Sequence, residues 1–131
     1  MIYLIGYSGR TIDDLKRIVG EFSILIDIRF SAKSRLPGFS AKSLEREFPN
    51  QYLHLWEWGN ESYSGSGESI KIYKPNEGLT IVLDMLAQLD SGGWRGDVFL
   101  MCVCKDGHKC HRRQVAELLR EHGYEVKEYE D

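Results

Sequence analysis

Short apolar runs alternate with stretches of helical periodicity along this whole chain, and that alternation leaves few folds open. Residues 2–5 read as a first strand and residues 22–28 as a second. The centre of the second, Ile24-Leu25-Ile26, has no polar position for a solvated face, as in a sheet covered on both sides. Residues 52–55 read as a short strand, residues 98 to 102 or 103 as a long one, and residues 124–129 as a closing one. Helices fit between them. Thr11 opens the first with a capping-box pattern in which Asp14 replaces the usual Glu or Gln, Leu15, Ile18 and Val19 recur at helical spacing, and Gly20 stops it. Ser40 caps a short helix carrying Leu44 and Phe48, closed by Pro49. Leu79, Val82, Leu83, Leu86 and Leu89 share one helical face that ends at Gly92-Gly93. A last helix runs from about residue 111 to 122, with Gly123 terminating it. Residues 59–67, rich in Gly, Ser and Asn, read as a mobile loop suited to act as a lid. The expected architecture is a single α/β three-layer domain spanning residues 1–131, with a mostly parallel sheet of about five strands and helices on both faces.

Composition narrows the class of protein. With 131 residues, 42% hydrophobic and 28% charged, the chain suits one domain of an ordinary soluble protein. Residues 1–5 lack a basic leader and stop at Gly6, so they read as a strand and not as a signal peptide or a membrane span. Three cysteines are an odd number, unsuited to a disulfide framework, which points to a reducing cytoplasm. The net charge of −3 is unevenly spread. Residues 27–46 carry five basic and two acidic side chains, and residues 102–113 carry four and one. Two basic islands in an acidic chain suggest a local anion site more than a broad nucleic-acid surface.

The second island holds all three cysteines, Cys102, Cys104 and Cys110, with His108, His111 and Arg112. It runs from the end of an apolar strand through a polar turn to a helix start, whose unpaired N–H groups favour a thiolate or bound anion. Ligands of a parallel sheet bind outside the carboxyl ends of its strands. Tyr7, Ser8 and Arg10 follow the first strand, Asp27 and Arg29 the second, His54 and Glu57 the third, and the cysteine run the fourth. Convergence of these groups on one sheet edge is the argument for a site.

Each group also has a plainer role open to it. Asp27 is either a general acid/base or an acid paired with an arginine. Arg29 or Arg112 could grip an anion, or Arg112 could lie along its helix. Cys110 and Cys102 compete as nucleophile; the first sits beside His111 and Arg112, and the second could be a small buried hydrophobe. No cofactor is expected from this pattern. The alternative is a zinc or iron–sulfur centre on Cys102, Cys104, Cys110 and His111, although structural zinc usually draws its ligands as two separated pairs.

These residues resemble the DUF488 family of small α/β proteins, nearly end to end. Leu4-Ile5-Gly6-Tyr7-Ser8 resembles the family's opening T-I-G-H-S, and Asp27-Ile28-Arg29 with Ser34 its D-V-R-x-x-P-x-S. Phe39-Ser40 resembles its F-N/S step, and Tyr52-Leu53-His54-Leu55 with Gly59 its Y-x-H-L…L-G segment. Leu100-Met101-Cys102 through Cys110-His111-Arg112 resembles L-L-C-x-E…C-H-R, the most specific match. Tyr7 stands where the family has histidine, Ala32 where it has proline and Cys104 where it has glutamate. If the family uses that histidine and glutamate chemically, the resemblance implies an altered or lost activity here. The same segments also look partly like rhodanese domains, in which a D-V-R strand end faces a cysteine loop that carries a transferred sulfur.

Three functions follow as expectations. The first is a cytoplasmic enzyme acting on an anionic small molecule, nucleotide or nucleic-acid component. In it Cys102 or Cys110 attacks, His111 exchanges protons and Asp27 orients, while Arg29, Arg112, Tyr7, Ser8, Arg10 and His54 bind substrate. It could be a sulfurtransferase-like transferase, or a hydrolase resting on Asp27. The second is a non-catalytic nucleotide or nucleic-acid binding module that stacks bases on Tyr7, Phe30, Phe39, Trp56 and Trp58. The third is the metal protein. No membrane partner is expected, and the oligomeric state is left open.

Overall fold

The structure, a computed structural model, describes residues 1–32, 34, 36–61, 70–103 and 111–131. Among these residues the five strands are β1 (Ile2–Gly6), β2 (Ile24–Asp27), β3 (Tyr52–His54), β4 (Val98–Cys102) and β5 (Val126–Glu128). The helices among them are α1 (Ile12–Val19), α2 (Ala41–Glu47), α3 (Pro75–Ser91) and α4 (Arg112–Glu121), with a 3-10 turn over Trp56–Trp58. All five strands form one parallel sheet in the order β3-β2-β4-β1-β5. Among the described residues no helix is long and apolar enough to cross a membrane.

The layering follows from that order. Crossovers between parallel strands are right-handed, so the direction of travel across the sheet decides which face the helix covers. From β1 to β2 to β3 the chain moves one way, placing α1 and α2 on one face. From β3 back to β4, and then past β1 to β5, it moves the other way, placing α3 and α4 opposite. Two cores result. Leu15, Val19, Leu44 and Phe48 pack with Ile5, Leu25, Phe99 and Met101 on the first face. Leu79, Val82, Val115, Ala116 and Leu119 pack with Leu4, Ile26, Leu100 and Cys102 on the second. This is the expected three-layer α/β arrangement.

Local signals hold at the helix ends. Thr11 accepts from the Asp14 N–H at 3.1 Å, and Asp14 accepts from the Thr11 N–H at 2.9 Å, completing the reciprocal box. Ser40 caps α2 by accepting from the Ser43 N–H. The second strand, expected from residue 22, begins at Ile24. Phe22 is 81% exposed, and its carbonyl accepts from the Trp94 indole N–H instead of joining the ladder. The closing strand likewise starts late, at Val126. Of the expected lid, residues 62–69 lie outside the described residues. In its first part Gly59 abuts the Phe30 backbone, and Asn60 bridges to Ile72.

Candidate active site at the carboxyl ends of the strands

Register decides which side chains can meet. Partners paired across a parallel sheet point to the same face, and neighbours along a strand to opposite faces. Asp27 pairs with Met101 and with His54. Asp27 therefore shares the α1/α2 face with Met101, while Cys102, one residue on, faces α4. The candidate residues accordingly form two clusters at one sheet edge, separated by the sheet itself.

The first cluster is built on Asp27, which is fully buried. Its Oδ1 accepts from the Arg29 backbone N–H at 3.1 Å and from Arg29 Nε at 2.8 Å. Its Oδ2 accepts from Arg29 Nη2 at 2.6 Å and from the Tyr52 hydroxyl at 2.6 Å. Four donors converge on two oxygens, so the carboxylate holds Arg29 in place. Arg29 Nη1 donates to the Tyr7 hydroxyl at 3.2 Å, and Tyr7 donates to Ser34 Oγ at 3.2 Å. Tyr7 is fixed in turn by stacking on Phe39 with ring centroids 4.3 Å apart. Burial works against the Arg29 charge, yet the hydrogen bonds and charge of Asp27, with Tyr7 adding, outweigh it and hold the guanidinium above its ordinary range. Burial also pushes the Tyr52 hydroxyl well up, and the Asp27 charge and hydrogen bond push the same way against Arg29.

Two histidines brace the turn after β2. His54 Nε2 donates to the Arg29 carbonyl at 2.8 Å, and His111 Nε2 donates to the Ile28 carbonyl at 2.7 Å. A carbonyl only accepts, so Nε2 carries the proton in both rings. His111 thereby pins the start of α4 across the end of β2.

The second cluster joins Cys102, Arg112 and Glu128. Arg112 is 1% exposed at the first position of α4. Its Nε and Nη2 donate to the two Glu128 oxygens at 2.8 and 3.2 Å, and its Nη1 points at Cys102 Sγ at 3.1 Å. Burial again opposes the charge, but the Glu128 hydrogen bond and then the Cys102 sulfur more than offset it.

The remaining expected residues fall elsewhere. Arg10 donates to the Gly6 carbonyl and pairs with Asp131 at 3.0 Å, with its guanidinium over the Tyr129 ring. That ties the chain end to β1 and takes Arg10 away from the network. Ser8 adds a backbone bond to the Val103 carbonyl, extending the β1–β4 ladder. Cys104 and Cys110 lie outside the described residues, and so does the metal set that needs them. Among the described residues no three His, Cys, Asp or Glu side chains are grouped to hold a metal ion. Of the expected stacking rings, Tyr7, Phe39 and Trp58 are core residues, while Phe30 and Trp56 are each 41% exposed.

Sequence reasoning missed Tyr52 and Glu128. Strand alternation could have shown both: Tyr52 lies two residues from His54 on one side of β3, and Glu128 two from the buried Val126 on one side of β5.

A wholly parallel three-layer α/β sheet whose polar side chains gather at the strand carboxyl ends defines the class. Within it, the sequence model of the family described as Domain of unknown function DUF488 matches residues 10–119, and the chain belongs to that family. No curated protein and no solved structure matches it.

Proposed function

We propose that this DUF488 protein is a thiol-dependent enzyme acting on an anionic small molecule, nucleotide or nucleic-acid component. The reading rests on the Arg112 guanidinium 3.1 Å from Cys102 Sγ inside the family-type motif. A cysteine kept only as a small core hydrophobe has no need of a buried cation; a guanidinium beside sulfur favours the thiolate, the form that attacks. Cys102 is the nucleophile in this reading and Arg112 holds its charge. Arg29, fixed by Asp27 and Tyr7, is the cation that meets the substrate's anion in this reading. Asp27, Tyr52 and His54 are positioning residues for Arg29, and His111 is one for the helix start. A substrate engaging both clusters would lie across the ends of β2 and β4, over the His111–Ile28 contact. The two strands' connections leave on opposite faces there, the topological setting in which parallel sheets bind ligands. A reducing cytoplasm suits three thiols of which one must stay free.

The test is alkylation of the full chain across pH with mass mapping of the modified cysteine. Cys102 is expected to react at neutral pH faster than an ordinary thiol with pKa about 8.5, and Arg112→Met to slow it. A Cys102 that reacts only as an ordinary thiol, or not at all in the folded protein, ends the nucleophile reading. A persulfide on Cys102 after incubation with a sulfane-sulfur donor would mark the sulfurtransferase variant.

A further inference from the structure

A second surface stands beside this site, built from residues that the thiol chemistry does not use. Phe30 follows β2 and Trp56 follows β3, and both rings are exposed. Tyr73 joins them, edge-on to Phe30 at 5.3 Å and tilted 32° to Trp56 at 5.3 Å. The Lys74 ammonium lies 5.3 Å from the Tyr73 ring centroid and 5.9 Å from that of Trp56. Among the described residues Lys74 is in no ion pair, so its charge is open to a ligand.

The rings are held in place by backbone. Tyr73 donates its N–H to the Gly59 carbonyl at 3.0 Å and Lys74 to the Glu57 carbonyl at 2.8 Å. A Cβ on Gly59 would come within 2.3 Å of Phe30 Cα, so only glycine allows the two turns to touch. Location adds a second reason. The chain leaves β2 towards α2 on one face and β3 towards α3 on the other, so the adjacent pair β2–β3 makes its own topological switch point, where parallel sheets open a crevice.

We propose that this platform binds a nucleobase bearing a phosphate, with the base stacked on Trp56 and Phe30 and the phosphate drawn to Lys74. Exposed aromatic rings accept any base face, and an exposed cation beside them selects an anionic ligand over a neutral one. A proline-rich peptide would use the rings but would have no use for the cation. The overall acidic charge of the chain favours a small anion over a long polyanion. This proposal stands apart from the thiol reading: alkylation of Cys102 can fail while the platform still binds.

Calorimetric titration of the full chain with AMP, adenosine and inorganic phosphate tests it. AMP is expected to bind more tightly than either component. Trp56→Leu should weaken AMP by about tenfold or more, the loss of one base–aromatic stack. Lys74→Gln should weaken AMP and leave adenosine unchanged, and Phe22→Ala, an exposed ring off the platform, should change nothing. A dinucleotide binding like AMP assigns the ligand to free nucleotides, and one binding far more tightly assigns it to strand ends; both support the platform. No AMP binding at millimolar concentration, phosphate alone binding as tightly as AMP, or equal losses at Phe22 and Trp56 would overturn it. So would a proline-rich peptide that binds where AMP does not.

Discussion

Replacing Asp27 with asparagine keeps the shape of the side chain and removes its charge, which isolates what the buried pair with Arg29 contributes. Asp27 is fully buried and Arg29 is 6% exposed, so water cannot rescue the guanidinium when its partner is neutralised. Asparagine still presents one oxygen, but its NH2 would turn towards Arg29 Nη2 and the Tyr52 hydroxyl, or towards Arg29 Nε and the Arg29 N–H. Breaking a buried pair by removing one member costs about 3–5 kcal/mol. Tyr7 still shares the Arg29 charge, which places the expected loss near the lower end, about 3 kcal/mol. At a urea slope of about 2 kcal/mol/M, the unfolding midpoint should fall by about 1.5 M. Tyr52→Phe removes one bond to the same carboxylate and should cost about 1.5–2 kcal/mol. Adding Arg29→Met to Asp27→Asn should recover part of the loss, because no unpaired charge then stays buried. A loss below about 1 kcal/mol for Asp27→Asn, or a double variant worse than the sum of its parts, would refute the buried-pair argument.

Two further outcomes are expected. The folded state holds the Tyr52 hydroxyl protonated above the ordinary phenol pKa of about 10. Its contribution is therefore complete below pH 10 and is lost as pH rises beyond it, so wild type should lose stability more steeply than Tyr52→Phe in that window; parallel alkaline profiles in urea would contradict this. Gly59→Ala forces a Cβ against the Phe30 backbone and should cost about 1–3 kcal/mol, read as a lower thermal midpoint; an unchanged midpoint would mean that the two turns part freely.

Much of the fold was legible because its signals are local. The Thr11–Asp14 box, the Ser40 cap and the glycine stops act within one turn of backbone, and the structure shows the first two as hydrogen bonds. The unbroken run Ile24-Leu25-Ile26 implied a sheet covered on both faces, and both faces are covered. Boundaries were less legible. Phe22 looked like strand by hydrophobicity, yet its carbonyl is taken by Trp94, seventy-two positions away. For the site, the sequence located the groups at one sheet edge without their sidedness. Asp27, Arg29, Tyr7 and His54 do share a network, whereas Arg10 is claimed by Asp131 across 121 positions.

The sequence by itself determined the order in which strands and helices alternate, that both faces of the sheet are buried, and that polar chemistry collects after β1, β2, β3 and β4. These depend on periodicity and capping, which operate over a few residues. The tertiary structure alone decided partnership. Strand order sent α1 and α2 to one face and α3 and α4 to the other, and the Asp27–Met101 register turned Cys102 away from Asp27. Arg112 thereby met Cys102 and Glu128, Arg29 met Asp27 and Tyr7, and Tyr73 joined two exposed rings into one surface. A side chain's direction along its own strand is a local property. Which neighbour it meets depends on how distant strands align, and no short stretch of sequence carries that information.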